Sequence, residues 1–177
     1  MDIQIISSTK SVKIWLGYLI YLCLLVTSHV EAVNNLQEIK TISDDELNTI
    51  VFSTTLINQK MQIYQIKKLY GDAQWGSREM ISDPEVGVNS YEVKKDKDYN
   101  IVVTWLGEDT VLGIYCLYIK YFVKSTENWS PIIRVSDPSQ NLAGYFSSSI
   151  NTQTIEVIWT AYDEDFNLEN YSTTLNI

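Results

Sequence analysis

Four tryptophans of this chain fall into two pairs with one spacing, and this repeat constrains the fold more than any other feature. Trp75 and Trp129 lie 54 residues apart, as do Trp105 and Trp159. The same offset recurs in a Ser-Asp-Pro triplet and at several other positions: Asp83–Asp137, Pro84–Pro138, Tyr91–Tyr145, Ile101–Ile155, Val103–Val157 and Asp109–Asp163. A fixed period of this length predicts a repeated supersecondary unit.

The repeat divides the chain after its first thirty-odd residues. It predicts three units, the last cut short, at about residues 38–83, 90–136 and 145–177. Upstream the offset falls to 51 residues, so that Asp45 matches Asp96. We therefore expect a length change of three residues in the loop before Trp75 and Trp129, because surface loops accept such changes more readily than strands.

The middle unit has the pattern of four strands. They are predicted at Tyr91–Lys95, Ile101–Trp105, Gly113–Val123 and Pro131–Ser136. Apolar residues alternate with a period of two in the second of these, which is typical of a strand with one buried face. Gly113–Val123 is apolar on both faces and so requires cover on both sides. Met61–Tyr70 also fits one helix face, but its register with Ile114–Tyr121 favours a strand.

The repeat resembles those of secreted β-propeller proteins, the sialidase-like blades among them. The matching residues are Trp129-Ser130-Pro131, Val135-Ser136, Asp96 to Asn100 and Ile101 to Trp105. The resemblance implies an all-β fold of tandem four-stranded antiparallel blades, propeller-like and incomplete, since closed propellers need about four to eight blades. The four tryptophans are expected to fill space between blades or to cover strand edges, with stacking on a ligand as the alternative, because aromatic residues dominate protein cores. The Asp-box of sialidases, Ser-x-Asp-x-Gly-x-Thr-Trp, does not occur, and Ile150–Gln153 replaces the acidic turn in the third unit.

The N-terminus has the pattern of a signal peptide. Lys10 and Lys13 precede an uncharged run, Ile14–Val26, which is short for a membrane span and right for a signal-peptide core. We expect cleavage after Ala32, which leaves residues 33–177 as the β-repeat domain of a secreted or cell-surface protein. Retention of residues 1–32 as an N-terminal anchor is the alternative.

Composition excludes several kinds of chemistry. A net charge of −9 argues against nucleic acid and anionic membranes as partners. The single histidine, His29, lies in the predicted signal peptide, which removes histidine-dependent triads and most zinc sites. Arg78 and Arg134 are the only arginines, whereas a sialidase-like enzyme uses a cluster of three. No catalytic residue, cofactor or metal site is therefore predicted.

Carboxylates offer the remaining candidates. Asp163–Glu169 alternates oxygen ligands as a calcium loop does, but it lacks the glycine of such loops and is predicted to be a solvated turn. An acid pair for glycoside hydrolysis remains an alternative, drawn from Asp96, Asp98, Asp109 and Asp163. Nothing in the sequence brings two of these to a defined separation.

These observations favour an exported, non-catalytic binding or interaction module. Its ligand is expected to be a protein or a glycan, contacted by exposed Tyr and Trp side chains at loop ends. Self-association to complete the blade array is a further expectation. A fragment of a carbohydrate-active hydrolase and a structural remnant of a larger surface protein are the alternatives. Cys116, the one cysteine after residue 32, is predicted to be a small buried hydrophobe.

Overall fold

A computed structural model describes residues 38–109 and 113–177, which form three successive antiparallel sheets without a helix. The prediction of an all-β protein with antiparallel sheets is therefore confirmed. The predicted signal peptide or anchor, residues 1–32, lies outside the described residues.

Each sheet is formed by consecutive strands. The first sheet has the order β1-β2-β3-β4, with strands Ile39–Ser43, Thr49–Ile57, Lys60–Lys68 and Arg78–Met80. The second has the order β5-β6-β7-β8, and β9 also pairs with β7, with strands Val86–Lys95, Ile101–Asp109, Ile114–Val123, Asn128–Trp129 and Ile133–Arg134. The third has the order β10-β11-β12, with strands Asn141–Ile150, Thr154–Tyr162 and Leu168–Asn176.

Two apolar layers hold the three sheets together. The layer between the first and second sheets contains Phe52, Ile63 and Trp105, all without exposed surface. The layer between the second and third sheets contains Val102, Leu117, Ile119, Ile155, Val157 and Trp159. The second sheet is thus covered on both faces, which explains why β7 is apolar on both sides. Cys116 is a fully buried free thiol in this sheet, and burial raises its pKa.

The two buried tryptophans occupy equivalent positions. Trp105 lies opposite Tyr118 on the next strand, and the two rings stack with centroids 5.8 Å apart. Trp159 lies opposite Tyr171 in the same way, with centroids 6.0 Å apart. In the first sheet Ser53 is opposite Tyr64, and the Arg78 guanidinium covers that ring at 3.8 Å.

The length change between the first two units differs from the prediction. Asp44 and Asn48 make the same turn as Asp96 and Asn100, an offset of 52 residues. From β3 onward the offset is 54, because two residues join β2 to β3 whereas residues 110–113 join β6 to β7. The expected change of three residues before Trp75 and Trp129 is therefore wrong. The two-residue turn is a tight hairpin with positive φ at both positions.

Tyr91 and Tyr145 do not occupy equivalent positions, in contrast to the 54-residue match. Tyr91 is 4% exposed and lies opposite the tryptophan of β6, whereas Tyr145 is 73% exposed. Phe146 lies opposite the tryptophan of β11 instead. The cause is the turn between β10 and β11, in which four residues separate the paired Ile150 and Ile155, whereas five separate the paired Lys95 and Ile101 in the second sheet. The shorter turn shifts the register of β10 against β11 by one residue.

Candidate functional site

The segment that follows the third strand is fixed in the same way in the first two sheets. The Ile81 N–H donates to the Ile63 carbonyl at 2.8 Å, and the Val135 N–H donates to the Leu117 carbonyl at 2.8 Å. Both contacts are main chain to main chain and follow the 54-residue offset. The segment therefore docks on the third strand at a fixed place.

A buried serine makes the second contact of each segment. The Ser82 hydroxyl oxygen accepts the Ile63 N–H at 2.9 Å, and the Ser136 hydroxyl oxygen accepts the Leu117 N–H at 2.8 Å. Ser82 also donates to Gln62 Oε1 at 2.6 Å. Each serine therefore satisfies a strand N–H that would otherwise be buried without a partner, which is a costly state.

The tryptophan at the start of each segment marks a third contact. The residue after Trp75 donates its N–H to the Lys67 carbonyl at 2.8 Å, and the residue after Trp129 donates to the Tyr121 carbonyl at 2.7 Å. The ring of Trp129 packs on Phe122 at 5.5 Å between centroids. At the equivalent place Lys68 lies 5.9 Å from the ring of Trp75, which is 45% exposed.

The Asp-Pro pair ends each segment with a turn. The Asp83 carboxylate accepts the Glu85 N–H at 2.8 Å, and the Asp137 carboxylate accepts the Ser139 N–H at 2.8 Å. The hydrogen bonds from Ser139 hold the pKa of Asp137 below its usual value. Pro84 and Pro138 follow directly and cannot donate to a ladder, so pairing stops there.

In the third sheet the equivalent strand is β12. In the described part of the chain, no segment docks on β12 as residues 75–84 dock on β3 and residues 129–138 dock on β7. Because Tyr171 is equivalent to Tyr118, Asn170 is equivalent to Leu117 and Thr174 is equivalent to Tyr121. These are the two strand positions that receive the segment in the second sheet. In the ladders of residues 38–109 and 113–177, β12 pairs only with β11.

Alternate residues of β12 direct their main-chain groups away from β11. The Ile177 N–H donates to the Gln153 carbonyl at 2.9 Å, which continues the β11–β12 register by one residue pair. Hydrogen-bonded and non-hydrogen-bonded pairs alternate along an antiparallel ladder. The outward set is therefore Leu168, Asn170, Ser172, Thr174 and Asn176, all of them exposed. We call this set of main-chain groups the open edge.

Exposed apolar side chains lie on the outer face beside the open edge. Ile158 of β11 is 56% exposed, and Tyr145 and Leu168 are also exposed. A shallow hollow of about 770 Å³, counting its open mouth, lies on this face. It is lined by Tyr145, Phe146, Ser147, Ile158, Trp159, Thr160 and Asn170.

A second cavity lies between the first and second sheets, with an apolar floor and lysines at its rim. It encloses about 570 Å³, counting its open mouth. Lys67 pairs with Asp44 at 3.4 Å, and Lys124 pairs with Asp45 at 3.6 Å. The Lys95 ammonium lies 4.4 Å from the ring centroid of Tyr99. These lysines are thus engaged by neighbouring side chains of the two sheets.

The candidate acidic residues do not converge on one site. Asp163 accepts N–H bonds from Asp165 and Asn167, and the Asn167 side-chain amide donates to it at 3.1 Å. Asp96 makes the same turn in the second sheet, and Asp98 accepts from the Thr152 hydroxyl at 2.6 Å. Asp109 ends β6. The described residues contain no group of three or more metal-ligating side chains.

The two arginines belong to different sheets. Arg78 covers Tyr64 and donates to the Thr55 hydroxyl in the first sheet, whereas Arg134 lies opposite Tyr118 in the second. The described residues therefore do not bring a cluster of arginines together.

The sequence matches no known protein family, and no curated protein is significantly similar to it. In the part of the chain that the structure describes, no helix is long and apolar enough to cross a membrane.

Proposed function

We propose that the protein is an exported, non-catalytic interaction module built of propeller-type blades, and that the open edge of β12 pairs with an extended peptide segment. The observation that supports this is the row of outward main-chain groups on five alternate residues of a nine-residue strand. Such a row is a template for adding a strand from another chain.

β12 lacks the features that usually protect an edge strand from pairing with another strand, and this supports a binding role. Edge strands are usually protected by lysine, proline, bulges or shortness. β12 has neither lysine nor proline, and its pairing with β11 is regular throughout. By contrast β4, β8 and β9 have two or three residues, β5 and β10 are bulged, and β1 has five residues including Lys40.

Selection from a displayed peptide library, with the purified protein as target, tests this function. We expect enriched peptides to bind Asn170→Ala as well as they bind the wild type, because that variant keeps the main-chain N–H. Asn170→Pro removes only an outward N–H and leaves the β11 ladder intact, so binding should fall at least about tenfold.

Two outcomes would contradict the proposal. One is a library that gives no peptide sensitive to Asn170→Pro. The other is that the protein binds glycans on an array but binds no peptide. That result would place the ligand-binding site at the exposed loop around Tyr70 and Trp75. The mass of protein recovered outside the cell tests export, since cleavage after Ala32 leaves a chain that begins at Val33.

A further inference from the structure

The cavity between the first and second sheets has the size of a small-molecule site. It encloses about 570 Å³, counting its open mouth, and every lining residue lies between Ile42 and Trp129. Both of its walls are therefore formed by described strands and turns. Sites for small molecules are usually about 300–1,000 Å³ and mostly apolar. The cavity is separate from the open edge of β12.

The floor of the cavity is apolar. Ile50 and Ile101 are buried and belong to the core between the first two sheets. Ile42, Phe122 and Trp129 pack against that core but are only partly buried. A hydrocarbon group placed on this floor would leave water and cover the remaining apolar surface, which is favourable.

The cavity is not a general consequence of stacking these sheets. In the layer between the second and third sheets, the Thr152 hydroxyl donates to the Asp98 carboxylate at 2.6 Å. The β10–β11 turn and the β5–β6 turn are therefore in direct contact there. In the layer between the first and second sheets, the β1–β2 turn and the β5–β6 turn contribute Asp44 and Tyr99 to the lining of the cavity.

Three lysines stand at the rim of the cavity, and they differ in their partners. Lys67 and Lys124 are paired with carboxylates of the β1–β2 turn. The Lys95 ammonium lies 4.4 Å from the ring centroid of Tyr99, and it forms no ion pair within residues 38–109 and 113–177. An aromatic ring attracts a cation but does not neutralise its charge. Lys95 is therefore the rim group that can pair with an anionic ligand.

We propose that this cavity binds a small amphiphilic carboxylate, of the medium-chain fatty acid type. Its hydrocarbon chain lies on the isoleucines and rings of the floor, and its carboxylate pairs with Lys95. Three of the five charged residues of the lining are lysines. Of the two carboxylates, Asp44 already accepts hydrogen bonds from Asn48 and pairs with Lys67, and Glu127 is the other. These charges favour an anion over a cation.

Isothermal titration calorimetry of the full protein with decanoate tests this site. We expect saturable binding to the wild type, and about threefold to tenfold weaker binding to Lys95→Gln, because the variant lacks the charged donor. Lys97→Gln is the matched control. It removes the same charge from the neighbouring turn, outside the cavity, and should change the affinity by less than about twofold. Both lysines are exposed, so circular dichroism should show the same fold in both variants.

Two further ligands with the same chain length identify the chemistry that is recognised. Decanol carries no charge, so it should bind more weakly than decanoate and equally to the wild type and Lys95→Gln. Decylammonium should bind more weakly still. Glu127→Gln should bind decanoate at least as tightly as the wild type does, because the variant removes a negative charge from the rim.

The inference fails on any of three results. Equal binding of decanoate to the wild type and Lys95→Gln would place the ligand elsewhere, for example on the outer face beside Ile158. Tighter binding of decylammonium, lost in Glu127→Gln, would assign the cavity to a cation. A titration without saturable binding would show that the cavity is only a gap in the packing. Asn170→Pro should bind decanoate as the wild type does, so the proposed function of β12 stands or fails independently.

Discussion

At the scale of single residues, one turn recurs three times and gives three of the aspartates a structural role. An aspartate accepts the N–H of an asparagine four residues later and also its side-chain amide, in the pairs Asp44–Asn48, Asp96–Asn100 and Asp163–Asn167. The residue before each asparagine has a positive φ, close to 60°. These carboxylates are therefore structural, and the calcium-like spacing of Asp163–Glu169 reflects a hairpin turn.

These turns make the stability of the fold depend on pH. The bonds from Asn167 lower the pKa of Asp163 from its usual value. Burial acts to raise the pKa of Asp44, but the bonds from Asn48 and Lys67 outweigh burial and lower it. A carboxylate with a lowered folded pKa stabilises the fold above its unfolded pKa and loses that contribution as pH falls through the folded pKa.

We therefore expect the free energy of unfolding to fall as pH decreases below about 4. Asp44→Asn, which does not titrate, should make this decrease shallower. Urea unfolding followed by circular dichroism between pH 5 and pH 2 measures both slopes. Equal slopes in the variant and the wild type would show that the turn does not contribute to acid sensitivity.

At the scale of elements, the serine of each Ser-Asp-Pro triplet fixes the last segment of a sheet. Ser136→Ala leaves the Leu117 N–H buried without an acceptor, and we expect a loss of about 1–3 kcal/mol in the free energy of unfolding. Ser125→Ala, at an exposed turn position, is the control and should change stability by less than about 0.5 kcal/mol. Denaturant unfolding measures both; a loss of the same size in the two variants would argue against this role.

The sequence predicts the strands better than it predicts their connections. The period of two in Ile101–Trp105 and the apolar run 113–123 correspond to β6 and β7, and Met61–Tyr70 is largely the strand β3. The lengths of the hairpin turns are not visible in that pattern, because they change register without changing which residues are apolar. The turn between β2 and β3 accounts for the wrong loop, and the shorter turn between β10 and β11 accounts for the unmatched Tyr145.

The open edge also had no sequence signal of its own. Its main-chain groups are the same for every residue type, and the outward side chains of β12 form an ordinary polar face. The segments around Ser82 and Ser136 dock on the equivalent edges of β3 and β7. The repeated Ser-Asp-Pro triplet marks both docked segments, but nothing in the triplet itself predicts that its serine accepts a strand N–H.

At the scale of the whole molecule, the outer face of the third sheet differs from the equivalent inner face of the second sheet. On the face of the second sheet that meets the third, five of six positions are apolar: Val102, Leu106, Leu117, Ile119 and Tyr121, with Thr104. The equivalent outer face of the third sheet is polar at five of six: Glu156, Thr160, Asn170, Ser172 and Thr174, with Ile158. End units of a stacked array need such a polar outer face.

We therefore expect the protein alone to be a monomer, in contrast to the idea that chains stack face to face to complete an array. Light scattering should give the mass of one chain, and Ile158→Asp should leave that mass unchanged. A defined oligomer that survives Asn170→Pro but dissociates in Ile158→Asp would show that outer faces do associate.

The reactivity of the Cys116 thiol reports how often the sheets separate. The thiol lies between two sheets and is the sole sulfhydryl after residue 32, so a thiol-specific reagent reaches it only when the second sheet separates from a neighbour. The rate of its alkylation thus reports how often the stack opens. A ligand that pairs with the open edge of β12 does not contact the centre of the stack. It would therefore slow the alkylation of Cys116 only if the three sheets separate together.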